Sequence, residues 1–381
     1  MKRVAVLSLV LAAAADLFAV RHAVFETDVY NRIFPLECKD NVVFSPVAAE
    51  VDCALAAEAL DTIPRANVAE AMGVLVEFSG VYRPLLERYR NATNGFHFVN
   101  ARAFCLPEMR AARADFRLHL QKEYGAEVMS LLPSKGVDCW FRAAMDGEME
   151  DFALSSDQAN SGKYLFFDLV SVRAEWLEPF PAGNVRNLPF TTPDGGKRTI
   201  PFMSDVRVVD LWDDRDYTLM KLPLRDDCWF YVLLPKQGLD LSAIRQDFSF
   251  MEIESLLTMT GPMPVGNHVR APTVVVLPRL ALRSRVDFMK ALQEFRLPTS
   301  ALDRLCRRVA AQEYSQWISF CLFENGRDEP PLESKPVERQ VSISDSTRRM
   351  VCNRPFLFFV YDGRTATIPV AGQFTGVDTD F

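Results

Sequence analysis

A single-domain α+β fold is predicted by three features of this 381-residue chain. Two apolar, β-prone runs, 315–323 and 356–361, close on a long polar stretch between them. Upstream, strand-like and helix-like segments follow one another with no internal repeat and no interdomain linker. The turn Pro193-Asp-Gly-Gly-Lys197 has hairpin chemistry and joins two of the strand-like runs.

Composition fits that class. The chain is 49% hydrophobic and 24% charged, as expected for a globular protein with one large core. Its net charge is −7, and no basic tract stands out, which excludes nucleic acid as a partner. At the N-terminus, Lys2 and Arg3 precede the run 4–15, apolar except for Ser8. That pattern predicts a secretory signal within 1–19, cleaved after Ala15 or Ala19, and too short to span a membrane. Residues 20–381 then form one soluble domain, secreted or otherwise extracytoplasmic, in the extracellular space or the periplasm. The eight cysteines contain no Cys-x-x-Cys pair, so neither a zinc nor a redox site is expected. Cys53, Cys105, Cys228 and Cys321 lie in or beside apolar segments and read as small buried hydrophobes.

Periodicity assigns the elements in order. Phe25, Val29, Ile33 and Phe34 have helical spacing. Asn41-Val-Val-Phe-Ser-Pro46 is a short strand, and Pro46 opens an alanine-rich helix over 47–60 at a position where its missing N–H costs nothing. Short helices are expected over 66–72 and 80–91, a strand over 97–105, and helices over 112–124 and 138–153. Tyr164–Val172 is broken only by Asp168 and Ser171 and reads as a central strand covered on both faces. The runs 217–222 and 229–234 pair as strands, and a helix follows near 240–258. Val274–Leu282 is a strand whose interior Pro278 predicts an edge or a bulge. A helix over 287–295 and a last strand over 367–374 complete the reading.

Several motifs share one order. Asn41-Val-Val-Phe-Ser-Pro46 leads into a helix. Trp176-Leu-Glu-Pro-Phe180 precedes Leu188-Pro-Phe190, the hairpin and Ile200-Pro-Phe-Met203. Tyr231-Val-Leu-Leu-Pro-Lys-Gln-Gly238 follows, and Phe323-Glu-Asn-Gly326 and Asn353-Arg-Pro-Phe-Leu-Phe358 bracket the polar stretch. From about residue 22 to 374 the chain resembles the serpin family. The resemblance implies eight or nine helices around three β-sheets, with a reactive-centre loop at about 324–350. It implies a serine-type endopeptidase inhibitor that needs no cofactor, is monomeric, and is no enzyme. In that family the loop is bait on a strained sheet. After cleavage an inhibitory member threads the loop into its own sheet as an extra strand and traps the protease.

Family spacing from Glu324 places the scissile region at Arg339, Gln340 and Val341; an arginine there suits a trypsin-like serine protease or a cysteine protease. Arg348 and Arg349 are alternative cleavage points. The hinge is Glu324, Asn325, Gly326, Arg327, Asp328, Glu329, Pro330 and Pro331. As a central strand, the segment from Arg327 would present Arg327, Glu329, Pro331, Glu333 and Lys335 on one face, where inhibitory members carry small residues. Burying unpaired charges costs several kcal/mol each, and each ladder partner orphaned by a proline costs about 1–3 kcal/mol. The sum rivals the roughly 5–15 kcal/mol stability of a domain. Three polar positions that support sheet opening in the family also depart. Ala48 stands where a second serine follows Ser45, Asp168 replaces an asparagine, and Gln316 replaces a histidine. The expectation is a serpin fold with weak or absent trapping; the alternative is a non-inhibitory binding or structural member. Neither His-Glu-x-x-His nor Gly-x-Ser-x-Gly occurs, so an enzyme lacks motif support.

Overall fold

The computed structural model describes residues 38–58, 65–66, 69, 72, 78–91, 95–107, 113–145, 152–245, 267–288, 311–326 and 347–377. The expected signal, the helix over 22–34, the hinge from Arg327 to Pro331 and the scissile region Arg339–Val341 lie outside them.

Among the described residues, fourteen strands form two sheets. They are β1 (Val42–Phe44), β2 (Phe96–Leu106), β3 (Ala126–Ser130), β4 (Tyr164–Ala174), β5 (Arg186–Thr191), β6 (Lys197–Asp213), β7 (Tyr217–Pro223), β8 (Cys228–Pro235), β9 (Asn267–Pro278), β10 (Leu280–Asp287), β11 (Ala311–Leu322), β12 (Arg348–Val351), β13 (Phe356–Asp362) and β14 (Thr367–Phe374). The five-stranded sheet runs β10-β11-β4-β2-β3. The other runs β1-β14-β13-β8-β7-β6-β9-β12, with β5 paired to β6. The described residues thus form two sheets where three are expected; the larger is joined by β6, whose 17 residues pair with β5 over Lys197–Phe202, with β9 over Phe202–Asp213 and with β7 over Asp210–Asp213.

The eight or nine helices expected become six among the described residues: α1 (Pro46–Glu58), α2 (Phe78–Asn91), α3 (Ala114–Tyr124), α4 (Lys135–Ala144), α5 (Ser156–Ala159) and α6 (Leu241–Arg245). Helix α1 is buried on every side except at Ala56, so its acids need internal partners. Tyr82 donates to Glu50 at 2.7 Å and Tyr124 to Glu58 at 3.2 Å. The expected helix over 138–153 starts at Lys135 and stops at Ala144. Leu154 N–H bonds the Asp138 carboxylate at 2.9 Å, and Phe152 stacks on Phe141 from extended chain, with ring centroids 3.7 Å apart.

Pro278 cuts the expected strand 274–282 in two. It ends β9 in one sheet, and the chain crosses at Arg279 to begin β10 in the other. Proline has no N–H to continue a ladder, and Arg279 N–H bonds Pro201 O at 3.0 Å at the crossing. Asp287 closes β10 and Phe288 follows it outside any helix, so the expected helix 287–295 does not begin there; 289–295 lie outside the described residues. Among the seven described cysteines, Cys53, Cys105, Cys228 and Cys352 are buried, Cys321 is half-buried, and none is bonded to another.

The sheets pack face to face. Val170, Val172, Ile318 and Phe320 of the five-stranded sheet meet Phe230, Phe358, Val360 and Val370 of the other. The opposite face of β4 packs Leu165 and Phe167 under Phe141 of α4 and Met145, which follows that helix. Thus β4 is covered on both sides, as its unbroken apolar run predicts.

Candidate functional site

The site is the middle and upper end of the β4–β11 pair. These strands run parallel and are bonded directly, from Glu313 opposite Leu165 to Cys321 opposite Arg173. No strand lies between them.

One residue row crosses the sheet at its centre. Arg102 on β2 faces Asp168 on β4, which faces Gln316 on β11. All three are buried. The structure brings together Ser45, Asp168 and Gln316, singled out from sequence. Ser45 N–H donates to Gln316 Oε1 at 2.7 Å, and Gln316 Nε2 donates to Ser45 O at 3.3 Å and to Asp168 Oδ2 at 2.8 Å. Ser45 Oγ also accepts Ala48 N–H at 3.3 Å, capping α1. One amide therefore links the start of α1 to both strands that would have to separate.

Three further members escaped the sequence reading. Asn100 donates to Asp168 Oδ1 at 2.6 Å. Arg102 donates through Nε to Asp52 of α1 and lies 3.7 Å from Asp168. Two buried carboxylates thus share one guanidinium. Asp168 is the better supplied acceptor, with Asn100 and Gln316 both donating. Asp52 Oδ2 has no hydrogen-bond partner. Burial first, then the charge of Asp168, push the Asp52 carboxyl well above its ordinary value, and Arg102 only partly offsets them. A proton on Asp52 brings the cluster close to neutral.

The upper end is a latch on Glu324, Asn325 and Gly326. Trp176, buried against Phe180 and Phe230, donates its indole N–H to Phe323 O at 2.7 Å. Phe180 N–H bonds Glu324 O at 2.8 Å. Arg279, placed by the β9–β10 crossing, grips Glu324 with both Nε (2.7 Å) and Nη2. Gly326 has φ +76, and a Cβ there would lie 2.6 Å from Glu175 Cα. The turn that starts the hinge therefore sits against the backbone that ends β4.

The other end of the loop is also fixed. Arg348 and Arg349, expected as alternative cleavage points within a loop reaching 350, stand on β12, paired with Thr273 and Val274 of β9. From Arg348 the described chain is therefore an edge strand of the nine-stranded sheet. Beyond it, Thr191 N–H bonds Asn353 O at 2.8 Å, and Arg354 Nε bonds Pro235 O at 3.0 Å. These contacts join two of the motifs read from sequence.

The described residues thus form a closed five-stranded sheet with a polar row at its centre, and they fix the chain on both sides of residues 327–346. The model for the family described as Serpin (serine protease inhibitor) matches residues 21–376, and the chain belongs to that family. It is similar to human Serpin I2, 21% identical over 95% of this chain and 92% of that protein. It is also similar to mouse plasminogen activator inhibitor 1, 21% identical over 92% and 90%. Among solved structures it resembles native Tengpin, a thermophilic serpin, at TM-score 0.80 and 16% identity over 94% of both chains. It resembles thyroxine-binding globulin complexed with thyroxine at TM-score 0.77 and 13% identity over 94% and 98%. Among the described residues no helix is long and apolar enough to cross a membrane.

Proposed function

We propose that this chain is a secreted, monomeric serpin that offers the segment around Arg339-Gln340-Val341 as bait to a trypsin-like serine protease or a cysteine protease, and that trapping is weak or absent. The observation that carries the reading is a mismatch between hinge and slot. An inserted strand would have to part β4 from β11 beside Asp168 and Gln316. The segment available for that carries Arg327, Asp328, Glu329, Pro330 and Pro331. Ionic groups cost several kcal/mol each when buried unpaired, and the one guanidinium of the row, Arg102, is already shared by Asp168 and by Asp52 of α1. The bait is therefore cut as a substrate.

Equimolar trypsin and protein, resolved on a denaturing gel, test this. The expected products are a nicked chain, with its new N-terminus at Gln340, and free protease. A covalent protease adduct that survives SDS would contradict the reading. The same mismatch favours a second reading, a binding member of the family that holds a ligand instead of a protease. For that reading the nick has no functional consequence.

A further inference from the structure

A second site lies on the nine-stranded sheet, beside the loop latch, since Leu177 and Glu178 line it between Trp176 and Phe180. Where β6 passes from β9 to β7, the strands and the chain after Trp176 enclose a cavity of about 510 Å³, within the usual size for small-molecule pockets of roughly 300–1,000 Å³. Leu177 and Val208 stand on its rim and are both more than half exposed. Apolar side chains left open to water at the mouth of a cavity are surface that a ligand can cover.

The lining holds three cations, Arg207, Lys221 and Arg270, against two carboxylates, Glu178 and Asp210. Asp210 faces Lys221 across β6–β7 and Arg270 across β6–β9, so the three share one row. Both carboxylate oxygens of Asp210 are engaged elsewhere, Oδ1 by His268 at 2.9 Å and Oδ2 by Arg270 at 3.3 Å. Lys221 therefore gains no ion pair from its neighbour, and no described carboxylate lies within pairing distance of it. Its ammonium rests on the Trp229 ring, 3.9 Å from the centroid. A half-buried cation stabilised by an aromatic face and lacking an anion is a receptor for one. Burial depresses the charged form of this lysine, so an arriving anion would be held more firmly than at an open surface.

We infer that this cavity binds a small organic anion with an aromatic or branched apolar body, its acid group on Lys221 and its body on Trp229, Val208 and Leu177. The inference does not depend on whether the loop is cut or the protease trapped. It supplies a ligand chemistry for the binding reading and leaves the bait reading untouched.

The test uses the full uncleaved chain and two dyes of the same shape. One is 8-anilinonaphthalene-1-sulfonate, an anion; the other is N-phenyl-1-naphthylamine, which lacks the sulfonate. The expected result is saturable one-to-one binding of the anion, weakened about tenfold or more by Lys221→Met. The neutral dye should shift less than about twofold with that variant, since the aromatic wall remains. Val208→Trp, on an exposed rim, should weaken both dyes and decides the matter if Lys221→Met does not fold. Three outcomes would overturn the inference: no saturable binding of the anion, an affinity unchanged by Lys221→Met, or an affinity unchanged by Val208→Trp.

Discussion

Phe230, Val360 and Val370 form one row across β8, β13 and β14 in the nine-stranded sheet. At the centre of the five-stranded sheet the row is Arg102, Asp168 and Gln316. Both rows are buried. They respond differently to a change in strand pairing. An apolar row loses contact area in proportion to what is uncovered and has no specific partner to miss. In the polar row, parting β4 from β11 takes Gln316 from Asp168 and leaves a buried carboxylate with fewer donors. Opening there is set by whether an incoming strand replaces the lost partners. A hinge of small polar residues can do so; one carrying Arg327 and Glu329 brings further charge. In the reading proposed above, the first sheet is the scaffold and the second is a gate that the hinge sequence does not fit.

The sharpest way to break that contrast is Arg102→Met, which leaves Asp52 and Asp168 without a cation. It should cost about 3–5 kcal/mol, read as a lower urea midpoint at unchanged slope. If the variant is neutral, the polar row behaves like the apolar one. Next, Glu324→Ala removes both bonds from Arg279. We expect a loss of about 1–3 kcal/mol, with faster hydrogen exchange at the β11 amides of 320–322. Exchange unchanged there would mean that the latch does not hold β11.

Acidity sharpens the comparison further. Asp52 faces Arg102 and Asp168 from the sheet and Tyr314 from β11. Its folded-state affinity for a proton exceeds that in the unfolded chain, so the folded state keeps a proton that the unfolded state releases above pH about 4. The contribution is full below that pH and lost as pH rises, at up to about 1.4 kcal/mol per unit. Asp52→Asn, which mimics the protonated acid, should flatten this slope in urea titrations from pH 4 to 8. A slope equal to that of the parent protein would remove Asp52 as its source. The smallest effect is expected for Gly326→Ala. It must adopt φ +76 and press on Glu175, at a cost of about 1 kcal/mol or somewhat more, measured as a lower melting temperature. A neutral result would mean that the turn rearranges freely.

Much of this was legible in the chain. The run Tyr164–Val172 predicts a doubly covered strand, and Trp176 and Phe180 stand where the motif order implies. Ser45, Asp168 and Gln316 were marked by their place in the motifs. Asp52 and Arg102 belong to none, yet their spacing carried a signal. Asp52 follows Ser45 by seven positions on a buried helix, and Arg102 alternates with Phe98 and Phe104 on the buried face of β2. A charge on a face otherwise apolar needs a partner, and two such faces implied the pair. The crossing at Pro278 was harder to see. Its residues are β-prone throughout, and only the three-dimensional path tells an interrupted ladder from a bulge. Arg348 and Arg349 were misplaced for a related reason. Short polar edge strands look like loop, because their backbone pairing leaves little trace in side-chain pattern.

The gate's disagreement with its hinge is tested most directly by cutting the bait with trypsin at limiting dose and comparing melting curves of intact and nicked protein. The account predicts a change below about 2 °C, under roughly 1 kcal/mol on the size scaling of melting temperature. A rise of tens of degrees would mean that the loop had entered between β4 and β11, and would contradict it.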